Sequence, residues 1–218
     1  MSAAPQIRRY EPRDRAAVRR ICCDTADAGQ PVERFFPDRE VFADLLTNYY
    51  TEFEPHSTFV ADGGAGPVGY LMGCLSTGRF LRVVKWRIAP VAFVKALVRG
   101  TLWHPQTVRL FRANIGMWLT NQVRSAPAFG EYPAHLHVNV QDGFRGQRIG
   151  QRLVEAFLDR ARDAGVRGVH AGVSADNLRG RHFFEQLGFG EVHREPRMRK
   201  PDEPGRVLYT IIYAKPLA

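Results

Sequence analysis

Residues 134–164 read AHLHVNVQDGFRGQRIGQRLVEAFLDRARDA, and this stretch decides the fold. Ala134–Val140 alternates, with Leu136, Val138 and Val140 on one side and His135, His137 and Asn139 on the other, as a strand does. Gln141–Gln147 is a loop holding two glycines. From Arg148 to Ala164 the period changes. Ile149, Leu153, Val154, Phe157, Leu158 and Ala161 form one helical stripe, and Gly165 supplies a stop. Gly168–Ser174 then reads as a second strand. Strand, glycine loop, helix and strand in so short a span make a β-α-β unit, whose strands run parallel.

Working outward, Arg13–Ala26 and Arg39–Tyr50 are expected helices, the second with a stripe of Val41, Phe42, Leu45, Leu46 and Tyr49. Ser57–Ala61 and Val68–Ser76 are expected strands joined by the turn residues Asp62–Pro67. That turn spells Gly64-Ala-Gly66-Pro-Val-Gly69, a dinucleotide fingerprint by letter only, because a strand and not a helix follows it. Downstream, Asn177–Leu187 reads as a helix, Phe189–His193 as a short strand and Val207–Ala214 as a strand. The hairpins around the parallel unit make an α/β (α+β) class with a mixed central sheet.

The chain has 218 residues, 44% of them apolar, enough for one domain with a full core. No charge-free stretch reaches the ~20 residues of a membrane span, and the start, MSAAPQIRRYEPRDR, lacks the apolar segment of a signal peptide. Three cysteines, Cys22, Cys23 and Cys74, make neither a disulfide framework nor a zinc set and read as core residues. A reduced, cytoplasmic protein is expected.

The net charge of +9 is regional. Between Gly63 and Gly130 there is no acid, while Arg79, Arg82, Lys85, Arg87, Lys95, Arg99, Arg109, Arg112 and Arg124 account for the whole excess. Residues at about 78–129 therefore stand out as a basic helical insertion within a single domain, 1–218. A helix broken near Pro90 and another over Thr107–Val123 are expected in it. Such a field attracts polyanions, and a solvated arginine face is the plainer reading.

The loop after Val140 carries the chemistry. It delivers the chain from a strand into a helix N-terminus, where unpaired amides and the helix dipole seat a phosphate-type anion. Arg145 and Arg148 add cations, and glycine permits close approach. The Gly-Lys-Ser/Thr of a Walker loop is absent.

This run, Arg145-Gly-Gln-Arg-Ile-Gly150, resembles the cofactor motif of the GNAT superfamily of acyl-CoA-dependent N-acetyltransferases. Asn177-Leu-Arg-Gly-Arg-His-Phe-Phe184-Glu-Gln-Leu187-Gly188-Phe189 resembles that superfamily's second signature, in the expected order. Arg167-Gly-Val-His170 also resembles the acetyltransferase-like C-terminal domain of the hydrolase that removes O-linked N-acetylglucosamine. The resemblance implies a mostly antiparallel sheet of about seven strands, helices on both faces, and the insertion between strands 3 and 4.

It further implies acetyl-CoA as cofactor, without a metal, and transfer of the acetyl group to a primary amine by direct attack. Amides around Arg145, Gly146, Gln147, Arg148, Ile149, Gly150 and Gln151 would hold the pyrophosphate. Val138, Asn139 and Val140 would pair with the pantetheine arm, with Asn177, Phe183 and Phe184 on the last helix completing the cofactor site. Arg148 departs from the usual glycine but keeps its backbone donor.

Phe184 departs more seriously. It replaces the tyrosine that usually protonates the leaving thiolate, so water, Tyr209, Tyr213 or Ser174 would serve, or the site is catalytically weak. Candidate bases are His137, His135 and Glu131, with Asp142 in the loop. His135, His137 and His170 invite a metal reading, but no cysteine or carboxylate cluster joins them. A non-catalytic acetyl-CoA-binding module and a binder of anionic polymers are the rival classes. A small-molecule or peptide amine is the expected partner, with neither nucleic acid nor membrane. The insertion is expected to flank the acceptor cleft, and its Trp86, Trp103, Phe111 and Trp118 to offer apolar area for a homodimer.

Overall fold

In the computed structural model, which describes residues 4–27, 29–119, 130–199 and 206–217, seven strands form one sheet. They are β1 (Gln6–Arg9), β2 (Thr58–Asp62), β3 (Pro67–Cys74), β4 (Ala134–Val140), β5 (Gly168–Ser174), β6 (Gly190–Arg199) and β7 (Val207–Pro216). Their order is β1-β2-β3-β4-β5-β7-β6. Every neighbouring pair is antiparallel except β4 and β5, the pair that the β-α-β pattern makes parallel. The helices are α1 (Arg15–Asp24), α2 (Arg39–Asn48), α3 (Thr77–Val83), α4 (Ala89–Val98), α5 (Pro105–Leu119), α6 (Ile149–Asp163) and α7 (Leu178–Gln186).

The alternation of β4 divides two cores. Leu136 joins Leu71, Leu153, Phe157 and Ile211 in a cluster under α6 and α7. Gly73 makes that packing possible, because a Cβ there would stand 2.2 Å from the Phe157 ring. On the opposite face Val18 and Ile21 of α1, Tyr49 and Tyr50 of the turn that follows α2, and Tyr70 and Met72 of β3 form the second core. Burial of these aromatic and branched side chains, each worth roughly 1.5–3 kcal/mol, is what fixes the helices to the sheet.

Ion pairs then set how the helices meet. Asp38 caps α2 by accepting from the amides of Glu40 and Val41, and the same carboxylate takes Arg99 and Thr101 from beyond α4. Asp44 of α2 receives Arg19 from α1 at 2.6 Å and Lys95 from α4 at 2.7 Å. The insertion is thereby tied to α2.

Three elements differ from the sequence expectation. The helix of the insertion does not break at Pro90. Val84–Ile88 form a π turn with right-handed helical backbone on both sides, so α3 and α4 are continuous. A widened turn accommodates a proline ring that would otherwise collide with the preceding turn. The strand expected over Phe189–His193 runs to Arg199, paired throughout with β7 through bulges at Glu191/His193 and Pro196/Met198. Its charged, proline-containing sequence reads as loop, and pairing at the sheet's edge holds it extended. The expected helix over Thr107–Val123 begins at Pro105; residues 120–129, including Arg124, lie outside the described residues.

No helix among the described residues is long and apolar enough to cross a membrane.

Candidate active site

The site begins where the parallel pair separates. β4 and β5 are in register only at Ala134–Val169 and His135–His170, although β4 continues to Val140 and β5 to Ser174. Beyond His135, the β5-facing edge of β4 has no strand partner, and it leads straight into the glycine loop.

That loop presents amides. Phe144 and Arg145 spend theirs on the carbonyls of Gln141 and Asp142 in a short 3-10 turn. From Gly146 to Gln151, six consecutive amides have no acceptor among the described residues. Gly146 at φ 82° and Arg148 at φ 57° are both left-handed, and Arg148 is the only non-glycine with positive φ among the described residues. Alternating handedness turns successive N–H groups toward one concavity, which together with the α6 N-terminus makes an anion nest. Arg148, the departure from the usual glycine, therefore adopts the backbone conformation that glycine favours.

The structure corrects the role expected for Arg145. Its amide is bonded within the turn, its Nε donates to the Val140 carbonyl at 3.1 Å, and its guanidinium pairs with Asp142. A Cβ on Gly29 would lie 3.1 Å from the same guanidinium, so Arg145 clamps the α1–α2 loop to the end of β4. The nest starts at Gly146. Asn177 is likewise engaged, capping α7 by accepting from the Gly180 amide at 2.9 Å. Phe183 packs against Gly150, where a Cβ would stand 3.2 Å from its ring, and so braces the nest from α7.

On the face away from α6, the histidines assemble. His135 and His170 pair across β4–β5 with ring centroids 5.6 Å apart, and His137 is 5.9 Å from His135. His135 is buried and fully bonded, to Tyr50 Oη through Nε2 and to Thr77 Oγ1 through Nδ1, each at 2.8 Å. Burial, reinforced by the other two histidines, keeps it well below the ordinary histidine range. His137 is half-buried with no hydrogen-bond partner among the described residues. Burial, with Arg197 and His170 nearby, pulls it down to about 4. It is a neutral base with open nitrogens at pH 7.

The two carboxylates named as alternatives stand elsewhere. Glu131 is exposed in the turn before β4, and Asp142 is exposed after it and paired with Arg145. The seven residues of β4 separate them by roughly 23 Å of strand. Phe184 is 6% exposed, within 5.2 Å of Phe183 and Phe189 and stacked on Tyr213 at 6.3 Å. Among the possible replacements, Tyr213 donates to Glu185 at 2.7 Å and accepts from Arg181, and Tyr209 lies under the Arg194 guanidinium. Ser174 stands at the splayed end of β5. All three cysteines are buried, with burial pushing Cys23 and Cys74 up to about 12 and Cys22 up to about 11, so none is a poised thiolate.

Residues 111–189 match the family model described as the acetyltransferase (GNAT) family. The crystal structure of SsHAT is 31% identical, aligned over 99% of this chain and 100% of that one with a TM-score of 0.72. The structure of yncA from Salmonella typhimurium, determined with its cofactor acetyl-CoA, is 16% identical over 99% of this chain and 95% of that one, TM-score 0.59. Among curated proteins, O-GlcNAcase of Rattus norvegicus is 20% identical over 186 residues, 85% of this chain. The chain spans 20% of that protein's length.

Proposed function

The chain belongs to the acetyltransferase (GNAT) family, and from that premise we propose that it moves the acetyl group of acetyl-CoA to a primary amine by direct attack. The observation that carries this reading is the run of unpaired amides from Gly146 to Gln151 at the end of a splayed strand. That arrangement fits a pyrophosphate, and the free β4 edge at Val138–Val140 fits an amide-bearing arm added like a strand. Acetyl-CoA, when bound, supplies an activated acyl thioester.

The residues of this chain do the rest. The nest holds the cofactor's phosphates and Phe183 keeps Gly150 in place. An amine must shed a proton to become nucleophilic, and His137 is the acceptor we assign. A histidine near 4 is a weak base, so it competes only for the proton of an amine whose own pKa falls on leaving water. The leaving sulfur takes its proton from water or Ser174, since Phe184 has none to give.

Phe184 also favours a second reading, a module that binds acetyl-CoA without turnover. One pair of measurements separates the two. Calorimetry should show acetyl-CoA binding, and thiol release over a panel of small amines and peptides should show turnover that drops in His137→Gln. Absence of acetyl-CoA binding sinks both readings; binding without turnover on any amine leaves the second.

A further inference from the structure

Along the continuous helix from Thr77 to Val98 the solvent side changes character halfway. α4 buries Ala92 and Ala96 toward α2 and turns Val91, Phe93, Val94, Leu97 and Val98 outward, each between 44% and 81% exposed. At about 100° per residue these five positions fall on one arc, and no charge interrupts it. The one cation of α4, Lys95, lies on its flank and pairs with Asp44 of α2, and Arg99 just past the helix pairs with Asp38, the cap of α2. With Trp86, 67% exposed just upstream, the side chains offer on the order of 700 Å² per copy, close to the ~800 Å² that each partner contributes to a standard interface. The largest apolar patch of an ordinary monomer is smaller, about 300–600 Å².

We propose that this face of α4 is the contact through which two copies of the chain associate about a two-fold axis. An uncharged face is complementary to itself, which a two-fold contact requires. Arg82, Lys85 and Arg87, which have no acidic partner among the described residues, all lie upstream of α4, toward one end of a helix about 33 Å long, with Lys85 over the Trp86 ring. An antiparallel crossing centred near Val94 sends the two basic clusters to opposite ends of the contact instead of against one another. An anionic lipid surface would instead need free cations around the apolar arc, and the two that flank it, Lys95 and Arg99, are paired with acids. Trp118, the third tryptophan of the segment, lies outside the described side chains.

Sedimentation velocity over a concentration series tests this, with the wild type beside Val94→Glu/Val98→Glu and a milder Val98→Lys. The wild type is expected to sediment as a dimer. Both variants should associate at least thirtyfold more weakly, a change on the scale of a lost interface hot spot, while keeping the wild-type circular dichroism spectrum. A wild type that stays monomeric at every concentration overturns the proposal. So does a folded variant that dimerises as the wild type does, or a wild type that stays monomeric and is instead recruited to phosphatidylglycerol vesicles.

Discussion

Thr77 Oγ1 stands 2.8 Å from His135 Nδ1, and one hydrogen atom decides what both groups do. The Thr77 hydroxyl donates its only proton to the Pro133 carbonyl at 2.9 Å. His135 must then donate from Nδ1, which leaves Nε2 to accept from the Tyr50 hydroxyl. The first residue of α3 thus fixes the tautomer of a buried strand histidine and, through it, the position of Tyr50. Thr77→Val should cost about 1–3 kcal/mol, because a buried Nδ1–H loses its acceptor. Urea denaturation measures it, and ¹⁵N spectra of the variant should show His135 exchanging between tautomers.

Acid should weaken the fold through its buried histidines, starting above the ordinary carboxylate range. His135, His137 and His170 are all held below the ordinary 6.5 by burial. An unfolded chain protonates them near 6.5, whereas folded His137 waits until about 4. Between these values the unfolded state binds more protons, so stability is full above pH 6.5 and falls as pH drops toward 4. His137 contributes roughly 2–3 kcal/mol of that loss. Midpoints of urea unfolding at pH 7.5 and 4.5 should differ accordingly, and His137→Gln should shrink the difference.

Asp38 is the joint between α2 and the end of α4. Its carboxylate, pulled down to about 2 by Arg99, Thr101 and the Val41 amide against its burial, is 8% exposed. Asp38→Ala removes a helix cap, worth about 1 kcal/mol, and the rest of a buried hydrogen-bonded cluster. A total loss of about 2–4 kcal/mol is expected, with faster amide exchange concentrated in α4. Uniform exchange along the chain would contradict the assignment.

Gly146 takes φ 82°, and Gly150 lies against Phe183. Gly146→Val/Gly150→Val should misdirect the nest and lower acetyl-CoA affinity at least tenfold, with far less effect on melting of the ligand-free chain. Isothermal calorimetry reads the first quantity and circular dichroism the second. Equal affinity in the two proteins would remove the nest from the account.

Phe184→Tyr restores a phenol to the helix facing the splayed strands. Turnover should rise or stay level, since general-acid assistance is commonly worth ~10²–10⁴-fold, while stability falls by about 1 kcal/mol for burying a hydroxyl among Phe189, Tyr213 and Phe183. Thiol release from acetyl-CoA, wild type against variant, decides it. Collapse of an active wild type would mean that Phe184 shapes the acyl pocket.

What the sequence determined by itself is periodic or local. The alternation of Ala134–Val140 and the stripe from Ile149 to Ala161 gave the parallel unit and the two faces, because side-chain spacing alone decides which groups share a side. The glycine loop announced an anion seat, because backbone conformation there depends on residues adjacent in the chain. Only the tertiary structure decided which of those groups remain open. Arg145 was legible as a cation next to phosphate, yet Val140, Asp142 and the loop at Gly29 consume it. His135 and His137 look equivalent on one strand face, yet Tyr50 and Thr77, from distant segments, bond the first and leave the second. The reach of β6 to Arg199 depends on β7, a partner that its own charged sequence does not reveal. Hydrogen-bond vacancies are settled by neighbours far apart in the chain, and no spacing rule carries that information.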